Sequence, residues 1–187
     1  MTRNRSKWRP ALVALILLGC VAPDLCGQDV LPAVPANRGL IYFLKDTNEL
    51  VALPFEEGKS SFKSTEPAKE TRVGFIEIPG EQATTNLQSS IPRLFLFTSK
   101  RPGSHPPFLV SLAGRRGARR VTAVAQKGLA GYAIASEEII KPNIRVVADL
   151  GDQVFMEIRP RISLMPGEYA IIGDDLARIA TFRITAK

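Results

Sequence analysis

Apolar and polar residues alternate in short runs along most of this chain, and the dominant period is two. Leu40, Tyr42 and Leu44 fall on one face of an extended segment, with Ile41 and Phe43 on the other. Lys45-Asp46-Thr47-Asn48-Glu49 then reads as a hairpin loop into a second strand over 50–55. The same reading gives strands over 73–78, 94–98, 108–114, 121–126, 131–135 and 144–150. Val154, Met156 and Ile158 alternate with Phe155, Glu157 and Arg159, and two strands follow at 169–172 and 179–185. In the last of them Ala180, Phe182 and Ile184 share one face, and Thr181, Arg183 and Thr185 the other. About ten short strands bounded by Pro, Gly and Asp turns predict an all-β domain, a single antiparallel β-sandwich of immunoglobulin-like or related type. Sustained helical periodicity is missing after residue 28, although 136–141 and 174–178 have room for short helical turns. The polar stretch 58–71 predicts an exposed excursion with a short edge strand around Phe62.

The first thirty residues follow another rule. Arg3, Arg5, Lys7 and Arg9 precede a wholly apolar run that Pro23 breaks, with Gly27 four positions later. A basic start, a short apolar core and a small-residue site predict a secretory signal peptide over 1–27. The run is shorter than the ~20 residues of a membrane span, so the mature chain is expected to have no transmembrane segment. A second processing route stays open. Leu17-Leu18-Gly19-Cys20 resembles a lipobox, in which Cys20 is lipidated and becomes the new N-terminus of an envelope lipoprotein. Cys20 and Cys26 are the only cysteines, so cleavage after Gly27 leaves a domain that folds without disulfides. An extended lead-in over 28–38 and one domain over 39–187 complete the expected organisation.

LMPGEY, residues 164–169, is the most informative local motif. Pro166-Gly167 predicts a turn, with Pro fixing φ and Gly permitting φ > 0. Leu164 enters the core, and Tyr169 buries its ring and returns its hydroxyl to nearby backbone. The motif resembles the tyrosine corner of immunoglobulin-like and fibronectin-like sandwiches. The wider pattern resembles a group of small exported β-rich bacterial proteins of uncharacterised function. It consists of the GLIYFLKD and ELVALPFE hairpin, Pro92-Arg93-Leu94-Phe95-Leu96-Phe97-Thr98, Gly117-Ala118-Arg119-Arg120-Val121 and LMPGEY. These motifs are turns and core positions, so the resemblance implies a fold and no catalytic residue.

Candidate chemistry is sparse. His105, the only histidine, lies in a proline-rich loop beside Ser104, and no G-x-S-x-G surrounds a serine. One histidine and no mature cysteine predict no zinc site, and no cofactor is expected. Gly58-Lys59-Ser60 mimics a phosphate loop, but Leu53 stands where its first glycine belongs. Glu137-Glu138 and Asp174-Asp175 are neighbouring carboxylates, the second pair compatible with calcium. Trp8 belongs to the expected signal peptide, which leaves Tyr42 and Tyr132 as the candidate rings for stacking on a sugar.

Charge is the unusual feature. The chain carries 25 Lys and Arg against 18 Asp and Glu; removal of residues 1–27 leaves a net charge of +4. Between Gln82 and Ser136 there is no acid, and Arg93, Lys100, Arg101, Arg115, Arg116, Arg119, Arg120 and Lys127 contribute +8. The densest part, AGRRGARRV, reads as a hairpin tip with glycines at 114 and 117. Arg115, Arg116, Arg119 and Arg120, with Lys100 and Arg101, are therefore candidate ligands for phosphates or carboxylates. The expected partners are anionic envelope lipids or polymers, or another envelope protein. Aromatics are not interleaved with these arginines, which argues against nucleic acid. The favoured expectation is an exported non-enzymatic binding or structural module. The alternative is a small exported hydrolase with a site built from distant carboxylates or a serine.

Overall fold

The computed structural model describes residues 31–62, 71–101, 107–126 and 132–185. The expected signal peptide, Cys20, His105 and Lys127 lie outside the described residues. Within them the chain is all-β, with no helix. The first strands in chain order are β1 (Tyr42–Leu44), β2 (Leu50–Ala52), β3 (Phe55–Glu56), β4 (Lys59–Phe62), β5 (Thr71–Pro79), β6 (Asn86–Leu87) and β7 (Leu94–Ser99). They are followed by β8 (Phe108–Arg115), β9 (Ala118–Gln126), β10 (Ala133–Ile134), β11 (Pro142–Asp149), β12 (Gln153–Pro160), β13 (Gly167–Ile172) and β14 (Ile179–Ile184). The count exceeds the expected ten because β2, β3, β4, β6 and β10 have four residues or fewer, too few to show a period. The 50–55 segment is split at Leu53-Pro54 into β2 and β3. At 136–141 and 174–178 the chain makes isolated turns, with Glu138 N donating to Ala135 O and Arg178 N to Asp175 O.

Two sheets form. One has five strands in the order β11-β12-β7-β1-β2; the other runs β3-β14-β13-β8-β9-β5-β4, with β10 beside β9 and β6 beside β14. Pairing is antiparallel except for the two-residue ladder of β6 with β14. Alternation decides what each face buries. Leu94, Leu96, Met156 and Ile158 of the five-stranded sheet meet Leu109, Tyr169, Ile171, Ala180, Phe182 and Ile184 of the nine-stranded one in a single cluster. The intervening residues of β7 and β12 turn to the other face, where Phe95, Phe155 and Tyr42 form a smaller cluster.

The nine-stranded sheet has apolar residues on both faces of β8, β13 and β14, because it curls into a half-barrel. Ile76, Ile78, Val110, Val121, Ala123, Ile172 and Ile179 fill the inside of the curl. The two edge strands of its path, β3 and β4, are separated by Glu57-Gly58 alone, so one short segment draws both edges together. Gly58 is required there. A Cβ would lie 2.5 Å from Ile179 Cδ1 and 3.1 Å from Ile76 Cγ2, and the Gly58 N–H donates to Leu176 O across the gap.

Candidate functional site

The arginine-rich segment is the β8–β9 hairpin, with Arg116-Gly117 as its turn. Gly117 takes φ 71°, a region glycine reaches without a Cβ penalty. Arg115 and Arg116 are exposed at the tip. The next two arginines are on the strand, where successive side chains take opposite faces. Arg120 lies over the Phe75 ring, 4.3 Å from its centroid. Arg119 points inward, in step with Val121 and Ala123, and is 1% exposed.

Inside the curl Arg119 joins groups that are far apart in sequence. It ion-pairs with Glu56 on β3 and donates from Nε to Gly80 O (3.0 Å) and from Nη2 to Pro79 O (3.0 Å). Its Nη1 is 3.8 Å from Glu168 Oε2 on β13. Glu56 also accepts from the Thr181 hydroxyl on β14. Glu168 accepts from Ala83 N at 2.8 Å and lies 3.5 Å from Arg183 Nε. One guanidinium thus ties β9 to β3, β5 and β13 at one mouth of the curl. Glu56 and Glu168 are the distant carboxylates that the structure brings together. Their oxygens are engaged by Arg119, Thr181, Ala83 and Arg183, an arrangement that clamps strands.

The remaining candidate cations sit elsewhere. Lys100 and Arg101 follow β7 on the five-stranded sheet, where Lys100 Nζ is 2.5 Å from Asp149 Oδ1. That contact, with the Gly151 N–H, holds the Asp149 carboxyl below its ordinary value. Arg93 makes a two-pronged contact with buried Glu157 (2.6 and 3.2 Å). The acid-free stretch is therefore answered in space by acids from other strands. The six candidate residues do not form one patch: two stand at the hairpin tip, one covers a ring, one is interior and two belong to the other sheet.

At LMPGEY, Leu164 and Tyr169 are buried, and the Tyr169 hydroxyl donates to Met165 O at 2.7 Å. Its ring stacks on Phe182 with centroids 5.6 Å apart. Pro166 is exposed at the turn. Gly167 opens β13 without using the positive φ that glycine permits, and a Cβ there would make ordinary contacts of 3.7 Å with Tyr169. Burial raises the Tyr169 hydroxyl above its ordinary value. The other tyrosines behave alike. Tyr42 donates to Asn37 O and Tyr132 to Gly173 O, both at 2.6 Å, so neither hydroxyl edge is presented to a ligand. Burial, then Asp174 and Asp175, push Tyr132 up to about 12. Among the described residues no three potential metal ligands cluster. No protein family, curated protein or solved structure matches this chain.

Proposed function

We propose that this chain is an exported, non-enzymatic binding module, its two sheets stacked as one β-sandwich, which presents the β8–β9 hairpin tip to anionic lipids or polymers of a cell envelope. The observation that carries the reading is the division of labour within the hairpin. Arg119 anchors the base of the hairpin through carboxylates and carbonyls on three other strands, while Arg115 and Arg116 stay in solvent at its end. A cationic tip on a stiff base loses little conformational freedom on contact. Two basic residues near an anionic surface contribute about 2 kcal/mol, a weak and reversible association. Lys100, which Asp149 neutralises, is not part of this surface.

Co-sedimentation with vesicles rich in anionic lipid tests the reading. Retention should fall steeply with salt, because the screening length is about 8 Å at physiological ionic strength. It should also fall in the Arg115→Ser/Arg116→Ser variant at unchanged unfolding midpoint. Equal retention of variant and wild type at low salt overturns the tip as the contact. Intact-mass measurement addresses export separately: a mature chain beginning near Gln28 supports it. A lipidated Cys20 at the N-terminus replaces soluble export by a membrane anchor.

A further inference from the structure

A second surface feature owes nothing to the arginines. Of the nine residues 82–90, only Ala83 and Leu87 are apolar; the other seven are amides or hydroxyls. Ala83 and Leu87 are buried and act as two anchors. The backbone between them is fixed at several points. Ala83 N donates to Glu168 Oε2 (2.8 Å) and Arg183 N to Thr85 O (2.8 Å), Asn86 and Leu87 pair with β14, and Leu164 N donates to Ser90 O (2.7 Å). The polar side chains therefore stand on an ordered strap.

Concavities flank this strap and share walls. One of about 400 Å³ has Asp46, Gln88 and Ser89 in common with a neighbour of about 360 Å³ and Pro166, Ile184 and Thr185 in common with another of about 410 Å³. They are neighbours through these shared residues and are together called the groove. Phe43 and Pro92 form an apolar side at one end; Glu81 and Gln82 stand at the other. Each part is of the size of small-ligand sites.

We infer that this groove binds a neutral polyhydroxyl chain, an oligosaccharide. The donor and acceptor inventory selects the class. Amides and hydroxyls both donate and accept, and carboxylates accept only. A sugar hydroxyl also does both, so it satisfies the strap and Asp46 alike. An anion would meet Asp46 and Glu81. A cation would leave the amide donors of Asn86 and Gln88 idle. An extended peptide adding as a strand needs a free sheet edge, and with β14 paired to β13, β3 and β6 only the two-residue outer edge of β6 is left for it here. The groove's cations each have a carboxylate near them, Lys45 an exposed Glu49 (3.6 Å) and Arg183 Glu168 (3.5 Å). At that apolar end half-buried Phe43, packed against the core, lies beside buried Pro92, and the C–H face of a sugar ring would rest on the part of the Phe43 ring left uncovered.

The test is a nuclear magnetic resonance titration of the purified protein with neutral hexasaccharides of glucose and of N-acetylglucosamine. A serine- and glycine-rich hexapeptide serves as the comparison. Saturable amide shifts confined to 43–47, 82–92 and 183–185 are expected with at least one sugar. Gln88 and Ser89 are exposed, so Gln88→Ala/Ser89→Ala should keep the fold, and it should weaken that binding about tenfold through lost hydrogen bonds. The inference is overturned if no sugar gives saturable shifts, if the shifts map elsewhere, if the double variant binds equally well, or if the peptide alone occupies the groove. None of these outcomes bears on vesicle retention through Arg115 and Arg116.

Discussion

Arg119 keeps the inward phase of Val121 and Ala123, so a full positive charge occupies a core position of the curled sheet. Removing it leaves Glu56 without a counter-charge and Glu168 with Arg183 alone. Breaking one side of a buried ion cluster costs about 3–5 kcal/mol. Arg119→Met should therefore lose about that much stability by chemical denaturation, whereas Arg116→Ser at the exposed tip should lose almost none. If both substitutions leave the midpoint unchanged, the clamp has no energetic role. Tyr169→Phe should cost on the order of 1 kcal/mol, the worth of one hydroxyl-to-carbonyl hydrogen bond; an unmoved midpoint would reduce that contact to an incidental one. Tyr132 gives a pH signature. Its hydroxyl is raised from an ordinary value of 10.0 to about 12, so folding favours the neutral form. That stability is complete below pH 10 and is lost as pH rises from there to about 12. Tyr132→Phe should flatten this part of the stability profile; a profile identical to wild type would refute the assignment. Among these residues the tyrosine return at Met165 was legible, because Leu164, Pro166 and Tyr169 stand at turn spacing. The fate of Arg119 was not. Four arginines around a glycine look alike in sequence, and only the strand phase, one residue inward and the next outward, separates them.

Strands long enough to show alternation, such as β7, β12 and β14, were readable, and the faces assigned to β12 and β14 are the ones the structure buries together. What pattern could not supply was partnership. The curl of the nine-stranded sheet depends on Glu57-Gly58 being the only residues between two strands that pair at opposite edges. That depends in turn on Gly58, which looks like an ordinary loop residue. Gly74, inside the strand read over 73–78, is a second glycine that close approach requires. On β5 opposite Phe62, it allows β4 to approach so closely that a Cβ would overlap Ser61 O and Phe62 backbone. Backbone cannot swing aside as a side-chain end can, so Gly74→Ala should detach β4 from β5. Faster hydrogen exchange at 60–62 with β7 and β12 unaffected is the expected readout. Gly114, with nothing within 4 Å of a Cβ, is the control: Gly114→Ala should exchange like wild type. Unchanged protection at 60–62 in Gly74→Ala would mean that β4 is not held by this contact. By the same geometry Gly167→Ala should be mild, since its neighbours are at ordinary contact distance.

The described residues from Leu31 onward form one compact unit, and the largest cluster of buried side chains among them draws on both sheets. Neither sheet can keep its inner face dry alone: Leu94, Leu96, Met156 and Ile158 on one side need Leu109, Ile171 and Phe182 on the other. The curled sheet has a second interior of its own, so partial unfolding that strips away the five-stranded sheet is conceivable on topology alone. Its cost decides against it. Exposing the shared cluster would uncover Phe182 and Ile171, both fully buried, and each such side chain is worth about 1.5–3 kcal/mol of burial. The two sheets should therefore unfold together. Truncation at the shared cluster tests this from either side. Leu96→Ala on β7 and Phe182→Ala on β14 should each cost about 2–5 kcal/mol. In each variant, resonances from β12 and from β9 should be lost at the same denaturant concentration. A variant in which the β12 signals melt first while β9 stays folded would show that the half-barrel holds its own stability and that the five-stranded sheet is an accessory laid upon it.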